Sequence, residues 1–154
     1  QQLSNLLWAA FGINRPESGK RTAPSAMNNQ ETDIYICLSS GVFLYDAKKH
    51  SLILVVEEDY RKNMGRQDFV ASAPVILLFV ADYSKMGEKV SAEKKDFYSA
   101  VDVGYISQNV YLYCASENLG TVVLGSVDGN KVKEILKLKD NQKVLLSQCV
   151  GFPK

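Results

Sequence analysis

Apolar residues recur at helical spacing at the start of the chain. Leu3, Leu6, Leu7, Ala10 and Phe11 share one side, while Ser4 and Asn5 face the other. This spacing predicts a helix over Leu3–Phe11 with Gly12 as its stop. Trp8 suits either a half-exposed place at a subunit interface or the core. Three short runs then alternate or cluster β-branched and aromatic residues: Asp33–Leu38, Val42–Asp46 and Ser51–Val56. They are separated by Ser39-Ser40-Gly41 and Ala47-Lys48-Lys49-His50, which reads as a meander of three strands.

Glu57–Val70 is polar, with helical pieces interrupted at Gly65. Ala73-Pro74 opens the unbroken apolar run Val75–Ala81, the pattern of a strand buried on both faces. Pro74 is tolerable at its start, where no ladder donor is needed. Asp82–Val90 is a charged loop. The longest helix begins at Ser91 or Asp96 and runs to about Asn118. Phe97, Val101, Gly104, Gln108, Tyr111 and Ala115 trace one face of it. Ala100, Val103, Ile106, Val110, Tyr113 and Cys114 cover much of the rest, so it is expected to be buried on several sides, in the core and along a dimer seam. Asn118-Leu119-Gly120 is expected to end it with a glycine stop. Thr121–Val127 follows, then a short helix over Asn130–Leu136 capped by Asp128, and a last strand over Lys143–Val150.

Between the first helix and the first strand lies Asn14–Gln30, a segment with two prolines, a glycine and many small polar residues. Irregular loops longer than about 12–15 residues are uncommon in compact domains and are usually functional or disordered. This one carries Arg15, Lys20 and Arg21, then a Pro-Ser-Ala-Met-Asn turn. Such a turn offers backbone amides, a hydroxyl and a carboxamide at one edge of the fold, as a flat ligand with a polar rim requires. An ordinary surface loop is the alternative.

At 154 residues the chain is of single-domain size, and 46% hydrophobic with 23% charged residues is ordinary for a globular protein. The net charge of +1 is evenly mixed and excludes a clustered basic nucleic-acid face. No apolar run approaches the roughly 18 residues of a membrane span. Cys37, Cys114 and Cys149 are widely spaced within apolar segments and read as buried thiols. His50 is the only histidine and sits in a turn, which excludes a His-rich metal site. No nucleophile–base pair, paired carboxylate or Cys-x-x-Cys motif stands out, so an enzyme built on this sequence would draw its chemistry from a cofactor.

Thr22-Ala23-Pro24-Ser25-Ala26-Met27-Asn28, following Leu6-Leu7-Trp8-Ala9-Ala10-Phe11-Gly12, resembles the FMN-dependent nitroreductase family, and within it the branch that includes SagB-type azoline oxidases. Gly41-Val42-Phe43-Leu44-Tyr45-Asp46 is similar to the second strand of the hairpin that follows the turn there. The resemblance covers most of the chain. It implies an α+β fold: a mostly antiparallel central sheet flanked by helices, with one long buried helix, in a domain-interlocked homodimer.

The resemblance also implies a site. Pro24, Ser25, Ala26 and Asn28 would reach the FMN of the neighbouring subunit. The Leu124-Gly125-Ser126 segment would bring a backbone amide to flavin N5, which favours a glycine. Gln67 is a further candidate, near the pyrimidine edge. Family members usually hold the FMN phosphate with an Arg-Ser-x-Arg-like segment before the first helix. This chain starts at that helix, so the segment is expected to be missing, leaving Arg21, Arg15 and Lys154 as the cations available. The implied activity is a ping-pong cycle: NAD(P)H delivers hydride to N5 and leaves, then a nitroaromatic, quinone or similar acceptor takes the electrons. An azoline oxidase is a variant of this reading. A flavin-poor dimer of the same fold, serving as a small-molecule binding or scaffold protein, is the alternative. A cytoplasmic location is expected, with a leader peptide before Gln1 left open.

Overall fold

A computed structural model describes residues 1–153 of the chain. The elements run α1 (Gln2–Phe11), β1 (Ile13–Arg15), β2 (Lys20–Arg21), β3 (Thr32–Leu38), β4 (Gly41–Asp46), β5 (Ser51–Val56), β6 (Val75–Asp82), α2 (Ala92–Ser116), β7 (Gly120–Leu124), α3 (Gly129–Leu136) and β8 (Gln142–Gly151). Strands β3 to β8 make one six-stranded sheet in the order β5-β4-β3-β6-β8-β7, with every neighbouring pair antiparallel. The result is the α+β arrangement with an antiparallel sheet that the family resemblance implies.

The apolar run of β6 occupies a central position, between β3 and β8. Its side chains alternate between two cores. Leu77 and Phe79 pack with Leu6, Leu7 and Phe11 of α1 and Val103, Ile106 and Val110 of α2. Ile76, Leu78 and Val80 pack on the other face with Met64, Val70 and Val132 and Leu136 of α3. A strand covered on both faces has no solvent side to keep polar, which is why the run is unbroken. Cys37, Cys114 and Cys149 are free thiols buried in these two cores.

The Glu57–Val70 stretch forms single 3-10 turns at Arg61–Asn63 and Asp68–Ser72. Gly65 between them is a packing glycine: a Cβ there would lie 2.9 Å from both the Leu124 and the Val70 side chains. Among the described residues, no helix is long and apolar enough to cross a membrane.

Two expectations need correction. The segment after α1 is not an irregular loop: it opens with the β1–β2 ribbon and closes with a 3-10 turn at Ala26–Asn28. Asn118 rather than Gly120 turns the chain out of α2. It takes the left-handed φ of +54°, and the Leu119 N–H donates to the Cys114 carbonyl at 2.8 Å. Gly120 instead opens β7. Helix α2 buries one of its two apolar faces within the chain. Ser99, Asp102, Val103, Ile106, Ser107, Val110 and Cys114 face inward. Phe97, Val101, Tyr105 and Leu112 form an exposed apolar stripe on the opposite side, with Phe97 and Leu112 63% and 62% exposed. At Gly104, in the same stretch, a Cβ would meet nothing within 4 Å.

Candidate functional site

The turn after Pro24 is held from three directions. Pro24 is exposed, and Ser25 and Ala26 are half-buried. The Ser25 Oγ accepts from the Gln30 N–H at 2.9 Å, and the Asn28 N–H donates to the Ser25 carbonyl at 2.9 Å. The Gln30 Nε2 donates to the Asn28 Oδ1 at 3.2 Å. The Ala26 N–H donates to the Asp102 carboxylate of α2 at 2.8 Å. Met27 and Asn28 both adopt a left-handed φ of +54°. Asparagine tolerates that region, but methionine does so at a cost, so outside contacts must hold this backbone in place. The Met27 side chain meanwhile stands out, 66% exposed.

Gln67, Leu124 and Gly125 come together at a second place. Leu124 is the last paired residue of β7 and is buried against Gly65. Gly125 follows, exposed and beyond the ladder, with only the Leu146 Cδ2 (3.9 Å) within 4 Å of where a Cβ would stand. The Ser126 hydroxyl donates to the Gln67 Oε1 at 3.0 Å. That bond ties the Gln67 amide to the residue that follows Gly125. Within one chain, no hydrogen bond among the described residues joins this place to the Ser25–Asn28 turn.

Arg21 is tied into the structure. Its guanidinium lies 4.3 Å from the centre of the Phe11 ring, its Nε donates to Gln30 Oε1 at 2.8 Å and its Nη1 to the Phe11 carbonyl at 3.2 Å. Burial lowers its pKa, against the opposing pull of Asp33, Tyr45 and Asp46. It therefore locks the end of α1 to the loop. Arg15 donates to the Arg21 carbonyl. Lys154 lies outside the described residues.

Two arrangements escape the sequence pattern. One is a carboxylate pair, contrary to the expectation that none exists. Glu31 and Asp102 are both buried, 0% and 3% exposed. The two carboxyls act on each other, with Ser99 beside them, and neither Glu31 oxygen has a hydrogen-bond donor in place. Burial pushes the Glu31 pKa up to about 7, with the Asp102 charge adding to the rise. Burial also raises that of Asp102, opposed by the Ala26 N–H and by Glu31. The available signal was an acid at position 102, in phase with Ser99, Val103, Ile106 and Val110 on the core stripe of α2. The second arrangement centres on His50, whose Nε2 is 2.7 Å from the Ser4 Oγ and whose Nδ1 is 2.9 Å from the Tyr45 hydroxyl. It pins the β4–β5 turn to α1.

The comparisons with known proteins agree on one family. The Nitroreductase family profile matches residues 1–152. A Methanocaldococcus jannaschii protein bearing a nitroreductase name is 32% identical over 95% of this chain and 78% of its own length. The NADPH-flavin oxidoreductase of Vibrio harveyi is 32% identical over 67% of this chain, and the match spans 48% of that enzyme. Among solved structures, a Ralstonia eutropha protein under a nitroreductase name is 40% identical with a TM-score of 0.93, covering 99% of this chain and 72% of the other. A chain of the E. coli microcin synthetase McbBCD complex, at 17% identity and a TM-score of 0.86, covers 99% of this chain and 63% of its own and shares the fold.

Proposed function

Since the chain belongs to the nitroreductase family, we infer that it is the core of an FMN-dependent oxidoreductase. In this reading it takes reducing equivalents from NAD(P)H and passes them to a nitroaromatic, quinone or similar acceptor, acting as a homodimer with composite sites. The observation that carries the reading is that the family match spans residues 1–152 and so includes both the Ser25–Asn28 turn and the Leu124–Ser126 bend. The name of the Vibrio harveyi relative supports the flavin and the NADPH.

FMN, when bound, supplies the hydride and electron transfer at its N5. The protein supplies position. Gly125 offers a backbone that a ring can approach closely, and Gln67, fixed by Ser126, offers an amide N–H along the rim. Pro24, Ser25, Ala26 and Asn28 form the opposite wall, contributed across the two-fold axis. The apolar stripe Phe97–Leu112 on α2 is the seam that brings the two walls together.

The visible absorption spectrum of the purified protein, followed during titration with FMN, tests this reading. Bound flavin that NADH or NADPH bleaches under nitrogen and a nitroaromatic restores is the expected result. No absorbance and no binding would remove the flavin reading and leave the flavin-poor dimer.

A further inference from the structure

Glu31 is the last residue before β3, and its carboxyl faces Asp102, the residue that holds the Ala26 amide of the turn. It is fully buried, and neither carboxylate oxygen has a conventional donor. The groups that face it are Asp102 and Ser99 from α2 and the Tyr83 phenol from the turn after β6. None of these is a cation. Two ionised carboxylates in contact, away from water and without a counter-charge, repel strongly, so one of them keeps a proton.

The hydrogen bonds decide which one. Asp102 Oδ2 accepts the Ala26 N–H at 2.8 Å, a bond that favours its charged form. Glu31, the more deeply buried of the two, therefore carries the proton, although its own backbone N–H pulls the other way. A protonated Glu31 donates to Asp102, which gives one of its otherwise orphaned oxygens a partner. The Ser99 hydroxyl is engaged elsewhere, in a weak contact to the Met86 sulfur at 3.7 Å.

We propose that Glu31 and Asp102 hold one proton between them, and that this pair is a positioning device which fixes the Ser25–Asn28 turn through the Ala26 amide. The turn needs such a device, because Met27 and Asn28 sit consecutively in the left-handed region. Loss of the proton to solvent sets two like charges against each other, draws Asp102 off Ala26 and frees the turn. The functional consequence rests on the flavin reading above: a freed turn no longer presents Ser25 and Asn28 to the cofactor, and FMN binding weakens as pH rises.

The test follows the Ala26 amide resonance of the 15N-labelled protein, without cofactor, between pH 5 and 9. Ala26 is expected to titrate with a midpoint well above the ordinary carboxylate range. In Glu31→Gln, where the amide still donates to Asp102 but cannot ionise, the resonance is expected to stay at its low-pH position. Asp102→Asn is expected to displace it at every pH. FMN affinity, measured by fluorescence quenching, is expected to fall about tenfold more between pH 6 and 8.5 in the wild type than in Glu31→Gln. That variant also accounts for titration of the FMN phosphate. An Ala26 amide that does not titrate in the wild type, or titrates equally in Glu31→Gln, overturns the proposal and leaves the flavin reading intact. Titration of Ala26 in a protein that binds no FMN supports the positioning pair and removes the flavin reading.

Discussion

The Ser126 hydroxyl donates to the side-chain oxygen of Gln67 at 3.0 Å, joining the bend after β7 to the turns before β6. This bond ties the exposed Gln67 amide to the residue that follows Gly125. Gln67→Ala is expected to weaken FMN binding about five- to tenfold, the worth of one neutral hydrogen bond and its orientation. Thermal stability should change little, because Gln67 is exposed. Isothermal titration and a melting curve on the same preparation read the two effects separately.

Gly125→Ala separates folding from function. The position is open and its φ is not left-handed, so a methyl group meets only the Leu146 side chain at 3.9 Å. The fold should tolerate it within about 0.5 kcal/mol. If the main chain there approaches the flavin ring, the same methyl group displaces the ring, and bound-flavin absorbance should fall by an order of magnitude or more. Unchanged flavin binding in a stable Gly125→Ala protein would move the ring away from this bend.

The exposed stripe of α2 predicts self-association. Sedimentation should show a dimer, and Leu112→Glu should shift it to monomer. A charge set into an apolar seam costs about 2–4 kcal/mol, enough to raise the dissociation constant at least thirtyfold. Since the proposed sites are composite, the monomer should lose FMN as well. A monomer that keeps its flavin would place both walls within one chain.

Arg21→Ala is expected to destabilise the fold by about 1–3 kcal/mol through loss of the Phe11 stacking and of two hydrogen bonds. Arg21→Lys should recover little, because an ammonium cannot stack flat and donate to Gln30 and the Phe11 carbonyl together. Chemical denaturation midpoints measure both.

Stability should also depend on pH through Glu31. Its pKa is 4.5 in the unfolded chain and about 7 when folded, so the folded protein keeps a proton that the unfolded chain releases. The contribution is complete below about pH 4.5, is lost progressively as pH rises to about 7, and is flat above. The wild type should therefore lose about 1–3 kcal/mol between pH 5 and 7.5 relative to Glu31→Gln. Urea unfolding of both proteins at the two pH values checks the sign.

The elements of the sheet were legible because each strand announces its surroundings locally. The unbroken β6 run states that both faces are covered, and β-branched residues between turn clusters mark β3, β4 and β5. Which face of α2 meets the core is harder to read. Phe97, Val101 and Leu112 are as apolar as Val103 and Ile106, and periodicity cannot tell a core face from an unpartnered one. Asn118 was overlooked because a glycine two residues on looked like the stop. The Glu31–Asp102 pair was invisible for another reason: its members are distant in sequence and meet only when α2 packs over the start of β3. Gln67 and Gly125 were named through family resemblance, since local pattern gives a lone glutamine and a turn glycine no special standing.

The three sulfur atoms in the two cores bear on how such a protein ages. Burial pushes the Cys37 thiol up to about 12 and those of Cys114 and Cys149 up to about 11. Peroxide attacks the anion, and near neutrality each of these side chains stays protonated and out of reach. The three thiols are thereby spared from oxidation. Ellman's reagent, applied after denaturing an aerobically stored sample, should still count all three.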